Sequence, residues 1–185
     1  MTNRHLAEDF LPQVEKVAAM GIQTIILREK DLKAAEYEKL AREVLLICEK
    51  YQTKCMLHSF SEVAEKLWQD KTIYQPAGLH LPIGKFLALT EEQKKQIPLL
   101  GVSVHSLDEA KQCERLGASY VTAGHIFATD CKKGVPPRGL SYLREICAGV
   151  NIPVFAIGGI HVDNMASCLD AGADKVCMMS DLMKI

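Results

Sequence analysis

No apolar run in these 185 residues is long enough to span a bilayer, and Met1-Thr2-Asn3-Arg4-His5 does not make a signal peptide. A cytoplasmic protein without membrane contact is expected. Neither sign of charge is in excess. The 22 Lys+Arg against 23 Asp+Glu leave a net charge of −1, which gives no footprint for nucleic acid. The seven cysteines (Cys48, Cys55, Cys113, Cys131, Cys147, Cys168 and Cys177) are odd in number and contain no Cys-x-x-Cys pair. Most lie among apolar neighbours, so reduced, buried thiols are expected. Cys131 stands apart, because it lies beside Lys132 and reads as a loop thiol. There is no Pro/Ser-rich linker and no low-complexity stretch. With 48% hydrophobic residues, the whole chain, 1–185, reads as a single domain with a sizeable core.

What is present is a repeat of short apolar runs and amphipathic stretches. Thr24 to Leu27, Lys54 to Leu57, Gly78 to Leu81, Leu99 to Val104, Tyr120 to Ala123, Val154 to Ile157 and Lys175 to Met178 read as seven strands. Helical spacing fills the intervals: Leu6 to Ala19, Asp31 to about Tyr51, a helix opened by Ser59 and Glu62, Thr90 to Ile97, Ser106 to Leu116, Ser141 to Ala148, and Val162 to Ala171. Asp31, Ser59, Thr90 and Ser106 are the expected N-caps. Strands that are apolar throughout and alternate with helices mean a parallel sheet covered on both faces, or one closed into a barrel.

The stretch Gly124-His125-Ile126-Phe127-Ala128-Thr129-Asp130-Cys131-Lys132-Lys133-Gly134 concentrates polar chemistry just past a buried strand, and Val135-Pro136-Pro137-Arg138-Gly139 bounds it. His58, His105, His125 and His161 all lie at or just past strand ends, while His80 lies within a strand. Any one of them reads as a structural hydrogen-bonding residue. Together they fit a β/α barrel, whose active site forms at the C-terminal ends of its strands. Gly158-Gly159, with Met179-Ser180 after the next strand, stand where such barrels place a phosphate on backbone N–H groups. A tight turn would need the same glycines. A histidine-based metal hydrolase is disfavoured, since the strand ends offer few carboxylates and no His-x-His pair.

Leu27-Arg28-Glu29-Lys30-Asp31, Gly101-Val102-Ser103-Val104-His105-Ser106, Ile126-Phe127-x-Thr129-x-x-Lys132-x-Gly134, Ala156-Ile157-Gly158-Gly159-Ile160 and Ala171-Gly172-Ala173-Asp174 occur in this order. The set resembles the thiamine phosphate synthase/TenI superfamily over nearly the whole chain. The resemblance implies a TIM (β/α)8 barrel that binds a thiazole phosphate as its small-molecule partner. Synthases of this superfamily carry Asn-Asp after one strand and a second acid after the next, holding magnesium and a pyrimidine diphosphate. The matching positions here are His58-Ser59 and the Pro82 to Lys85 segment, without a carboxylate. Gly124-His125 resembles the TenI form, where synthases usually have Gly-Pro.

From this resemblance the expected activity is an isomerase, thiazole tautomerase, with His125 as the proton shuttle. Arg28, Lys30, Ser103, Thr129 and Lys132 would contact substrate, and Gly158, Gly159, Met179 and Ser180 would hold phosphate. No metal and no cofactor is expected, with magnesium needed only for synthase activity. The alternatives are the synthase itself, or a non-catalytic protein that binds thiazole or thiamine phosphate. Against an eight-stranded barrel, Thr2-Asn3-Arg4 reads as the end of a first strand that is mostly lacking, and the last helix is lacking too. Exposed strand edges would follow, and a homo-oligomer would cover them.

Overall fold

The computed structural model describes residues 1–185 apart from the side chain of Cys131, so the loop thiol expected there lies outside the described residues. The chain forms two compact units, Met1–His80 with Met179–Ile185, and Leu81–Met178. In both, parallel strands alternate with helices, and seven strands occur among the described residues. The fold is α/β, as the apolar runs indicate. No described helix is long and apolar enough to cross a membrane.

In the first unit α1 (Phe10–Ala19), β1 (Thr24–Leu27), α2 (Ala34–Lys50), β2 (Lys54–His58), α3 (Ser61–Gln69) and β3 (Gly78–Pro82) follow in order. The unit boundary falls within β3, after His80. β1 runs parallel to β2 with Leu27 opposite Leu57, and β2 parallel to β3 with His58 opposite His80. Ile25, Ile26, Leu27, Cys55, Met56 and Leu57 are all buried. On α2, the i, i+4, i+7, i+11 positions Tyr37, Ala41, Val44 and Cys48 are fully buried. Burying each large apolar side chain contributes about 1.5–3 kcal/mol.

Two expected caps are corrected. α2 starts after Lys33, whose amide donates to Glu36 at 3.0 Å, because Asp31 is held elsewhere by Arg4 and His5. α3 starts after Phe60, and Ser59 instead adopts φ +70° with its hydroxyl 2.8 Å from His58 Nδ1. The first helix is also shorter than expected, since Arg4–Leu6 is a separate 3-10 turn. Ahead of that turn the Thr2 amide donates to the Ile26 carbonyl at 2.9 Å. Thr2 therefore lies alongside the last residues of β1.

The second unit contains α4 (Ile83–Leu87), α5 (Glu91–Gln96), β4 (Leu100–Val104), α6 (Leu107–Arg115), β5 (Tyr120–Gly124), α7 (Gly139–Gly149), β6 (Val154–Ile157), α8 (Met165–Asp170) and β7 (Lys175–Cys177). β4 to β7 pair in sequence order, all parallel. Here the caps are as read: Thr90 and Gln93 form a reciprocal box, and Ser106 accepts from the Glu109 amide at 3.1 Å. α4 was not foreseen. α7 begins two residues earlier than expected, at Gly139. α8 begins at Met165 rather than Val162, which is 72% exposed and outside the helix. The six described cysteines are free thiols. Cys48, Cys55, Cys113 and Cys168 are buried and Cys147 and Cys177 half-buried, so the reduced-thiol expectation holds for them.

Candidate functional site

β5 is buried on both faces along its whole length, so the chain can turn polar only where the strand ends. There it reaches His125, which is 8% exposed. Beyond the strand, backbone pairing with the β6 side continues: the Ile126 amide donates to the Ile157 carbonyl and the Phe127 amide to the Gly158 carbonyl, both at 3.0 Å. These bonds carry the His125–Ala128 segment directly against the Gly158–Gly159 turn.

The contact is close enough to require glycine. A Cβ on Gly158 would lie 2.3 Å from His125 Cβ, and one on Gly159 would lie 2.3 Å from the Ala128 carbonyl oxygen. Both residues also have positive φ, +98° and +64°. The pair therefore serves first to let two backbone segments touch, a role its sequence does not distinguish from an anion cradle. Asn164, which the sequence reading did not single out, fixes the turn. Its side-chain amide donates to the Gly159 carbonyl and its Oδ1 accepts from the His161 amide, both at 2.9 Å. An Asn just ahead of a helix is the signal that could have found it.

The loop after Ala128 carries Thr129 and Lys132. Thr129 is half-buried, and its carbonyl accepts from the Lys132 amide at 3.1 Å within a 3-10 turn. Lys132, Lys133 and Arg138 are exposed. Ser103 lies within β4 rather than at its end, opposite Thr122, whose hydroxyl donates to it at 3.1 Å. His105 lies just past β4, with Nδ1 at 3.2 Å from the Gly124 carbonyl.

His125 is held to the loop through one ring nitrogen. Its Nε2 lies 3.2 Å from the Val135 carbonyl oxygen. A carbonyl only accepts, so Nε2 carries the hydrogen and is engaged in holding the loop.

Arg28, Lys30, Met179 and Ser180 belong to the other unit. Arg28 is half-buried just past β1, its amide donating to Thr2 Oγ1 at 2.9 Å, and Lys30 is exposed. Between them Glu29 is buried, accepting from Thr2 Oγ1 at 2.6 Å and from the Arg4 amide at 3.0 Å. Met179 and Ser180 open the turn after β7, where the Met179 carbonyl accepts from the Met183 amide at 3.0 Å.

His58 ends β2, and His80 lies within β3. His58 and His80 stack with ring centroids 5.6 Å apart, and His80 is fully buried. Burial, aided by the N-terminal charge, pushes the His80 pKa down to about 3. The Tyr37 hydroxyl donates to the Leu27 carbonyl at 2.7 Å and accepts from the His58 amide at 2.9 Å, tying β1 to β2.

Magnesium wants several oxygen ligands, usually including a carboxylate. These strand ends offer imidazoles and Ser59, and the nearby buried acid, Glu29, already serves Thr2 and Arg4. No group of three or more His, Cys, Asp or Glu suited to a metal occurs among the described residues. The residues present do not fit a carboxylate-held magnesium ion.

A family profile described as thiamine monophosphate synthase matches residues 1–182. The chain is 36% identical to the "Putative thiamine-phosphate synthase 2" of Aquifex aeolicus, over 94% of this chain and 89% of that one. It is 32% identical to "Thiamine-phosphate synthase 2" of Streptococcus pneumoniae, over 100% and 86%. Its fold matches the solved thiamine phosphate pyrophosphorylase of Pyrococcus furiosus with a TM-score of 0.82 at 29% identity, covering 100% of this chain and 85% of that one. None of these names denotes a tautomerase. The isomerase expected from Gly124-His125 is therefore corrected: the named relatives are synthases. With the profile spanning all but its last three residues, the chain belongs to the thiamine monophosphate synthase family.

Proposed function

We propose that this protein is a transferase of the thiamine-phosphate synthase type. It would couple a pyrimidine diphosphate to a thiazole phosphate. The thiazole nitrogen forms the new C–N bond to the pyrimidine's methylene carbon. The C–O bond to the diphosphate breaks, and pyrophosphate leaves with that electron pair. The observation that carries the reading is the Gly158–Gly159 turn set against the His125–Ala128 segment, whose continuation bears Thr129 and Lys132. Half-buried backbone at two glycines, a hydroxyl and an ammonium group suit a phosphate monoester.

In this reading Thr129, Lys132, Gly158 and Gly159 of the second unit serve the thiazole phosphate, and Arg28, Lys30, Met179 and Ser180 of the first unit are further candidates for binding substrate phosphate. Ser103 orients the ring from β4. No carboxylate-held metal takes part, because the β2 and β3 ends supply none.

The test is pyrophosphate release from the two substrates, with and without a chelator. Turnover that survives chelation is expected. Lys132→Ala should raise KM for the thiazole phosphate by about 10- to 100-fold, the weight of a charge-assisted hydrogen bond. One observation favours a second reading, a thiazole phosphate-binding protein without turnover: the β2 and β3 ends lack any carboxylate. Saturable thiazole phosphate binding with no pyrophosphate release would establish it.

A further inference from the structure

We infer that His125 is a positioning residue, a strap that holds the cationic 129–138 loop against the body of the second unit and so sets affinity for the phosphate ligand. The loop leaves the β5 side after Ala128 and returns at Arg138. Its two stems are joined by the Arg138 amide donating to the His125 carbonyl at 3.0 Å and the Gly139 amide donating to the Ile126 carbonyl at 3.1 Å. Between the stems the chain is open. Lys132 to Arg138 are all exposed, and Val135 is 54% exposed. The bond from the Val135 amide to the Lys132 carbonyl at 3.1 Å is internal to the loop.

The imidazole of His125 supplies a link from the middle of this stretch to the body, through Nε2 to the Val135 carbonyl at 3.2 Å, while at its end Arg138 lies 5.2 Å over the Tyr142 ring of α7. The ring itself is buried, and its Cβ is packed on Gly158 so closely that no Cβ fits there. A buried, wedged ring is a rigid anchor for an exposed loop. Neutral imidazole protonated at Nε2 and the imidazolium form both donate from Nε2. The strap therefore does not depend on the ionisation of His125, whereas a proton-transfer role would.

This inference rests on the phosphate-binding reading for its kinetic arm only, and the loop arm is independent of it. His125→Leu keeps volume and loses the donor. His125→Gln keeps an N–H donor but cannot shuttle a proton at neutral pH. Hydrogen exchange of the amides in 129–138 is measured for the parent and both variants. Faster exchange in His125→Leu, restored toward the parent in His125→Gln, is expected. In the coupling assay, His125→Leu should raise KM for the thiazole phosphate by roughly 3- to 10-fold, the weight of one hydrogen bond, with kcat nearly unchanged. His125→Gln should lie near the parent.

Unchanged exchange in His125→Leu would overturn the strap. So would a collapse of kcat in His125→Gln with parent-like exchange, which would place His125 in the chemistry. If the parent has no coupling activity, the synthase reading fails while the exchange arm still decides the strap. If His125→Leu does not fold, His125→Ala with the same measurements replaces it.

Discussion

The strand ends of the two units are built in opposite ways. In the second unit β5 ends in Gly124 and β6 runs into Gly158–Gly159, backbone meets backbone, and polar side chains follow β5 on an exposed loop. In the first unit the buried His58 at the end of β2 stacks on the buried His80 within β3, and the acid after β1 is enclosed by Thr2 and Arg4. One end has the make-up of a place to receive an anion. The other has been filled with its own side chains, and its polar groups are satisfied internally. Membership of a family therefore does not require both sets of strand ends to keep the same chemistry.

The largest effect should come from closing the glycine turn. Gly159→Ala puts a Cβ into the Ala128 carbonyl at 2.3 Å and a side chain at φ +64°. A loss of more than about 2 kcal/mol in urea unfolding is expected, from overpacking and left-handed strain together. Gly84→Ala, in α4 with open space around it, is the control and should stabilise by about 0.5–1 kcal/mol. Equal effects at the two positions would erase the distinction between a required turn and an ordinary glycine.

The filled end should show in acid. The folded-state pKa of His80 lies near 3 against 6.5 in the open chain. The unfolded chain therefore binds the extra proton as pH falls below about 6.5. Stability present above that pH should be lost toward pH 3, at up to about 1.4 kcal/mol per pH unit. In His80→Phe that part of the acid slope should vanish. An unchanged slope would mean that His80 is not the buried neutral base described here.

Metal binding sharpens the same contrast. The parent should show no saturable Mn2+ binding in the millimolar range, measured by water proton relaxation. Ser59→Asp adds a carboxylate at the β2 end, at a φ of +70° that Asp tolerates better than most residues. An affinity gain of about 10-fold or more is expected if a carboxylate is what this end lacks.

The smallest effect should be at the clasp of the N-terminal segment. Arg4 and His5 close on Asp31, and the Arg4 guanidinium holds the Asp31 carboxyl well below the usual carboxylate range. That contribution is present above about pH 4 and is lost as pH falls further. Asp31→Asn should lower the urea midpoint slightly, and less so in 0.5 M salt, because exposed pairs are screened.

Much of the fold was legible because parallel strands buried on both faces must be largely apolar, a demand that β1 to β5 meet nearly throughout and the partly buried β6 and β7 less fully. Thr90 and Ser106 were legible as caps because nothing competed for their hydroxyls. Asp31 and Ser59 failed as caps for the opposite reason. A guanidinium 27 residues away claimed the first, and the neighbouring imidazole drew in the second. The first partner is brought up by folding, whereas the second is the adjacent residue, a competitor that the capping pattern does not count.

The sequence by itself determined the strand and helix order, the family, and the absence of carboxylates after β2 and β3. These follow from residue type and from one-dimensional period. Only the tertiary structure decided which atoms His125 and the glycine pair touch. A histidine after a strand is compatible with shuttling a proton or with tying down a loop, and Gly-Gly with holding an anion or with admitting a neighbouring backbone. The choice depends on which atoms lie within 3 Å or so, and hydrogen bonds and steric contact are read only across space.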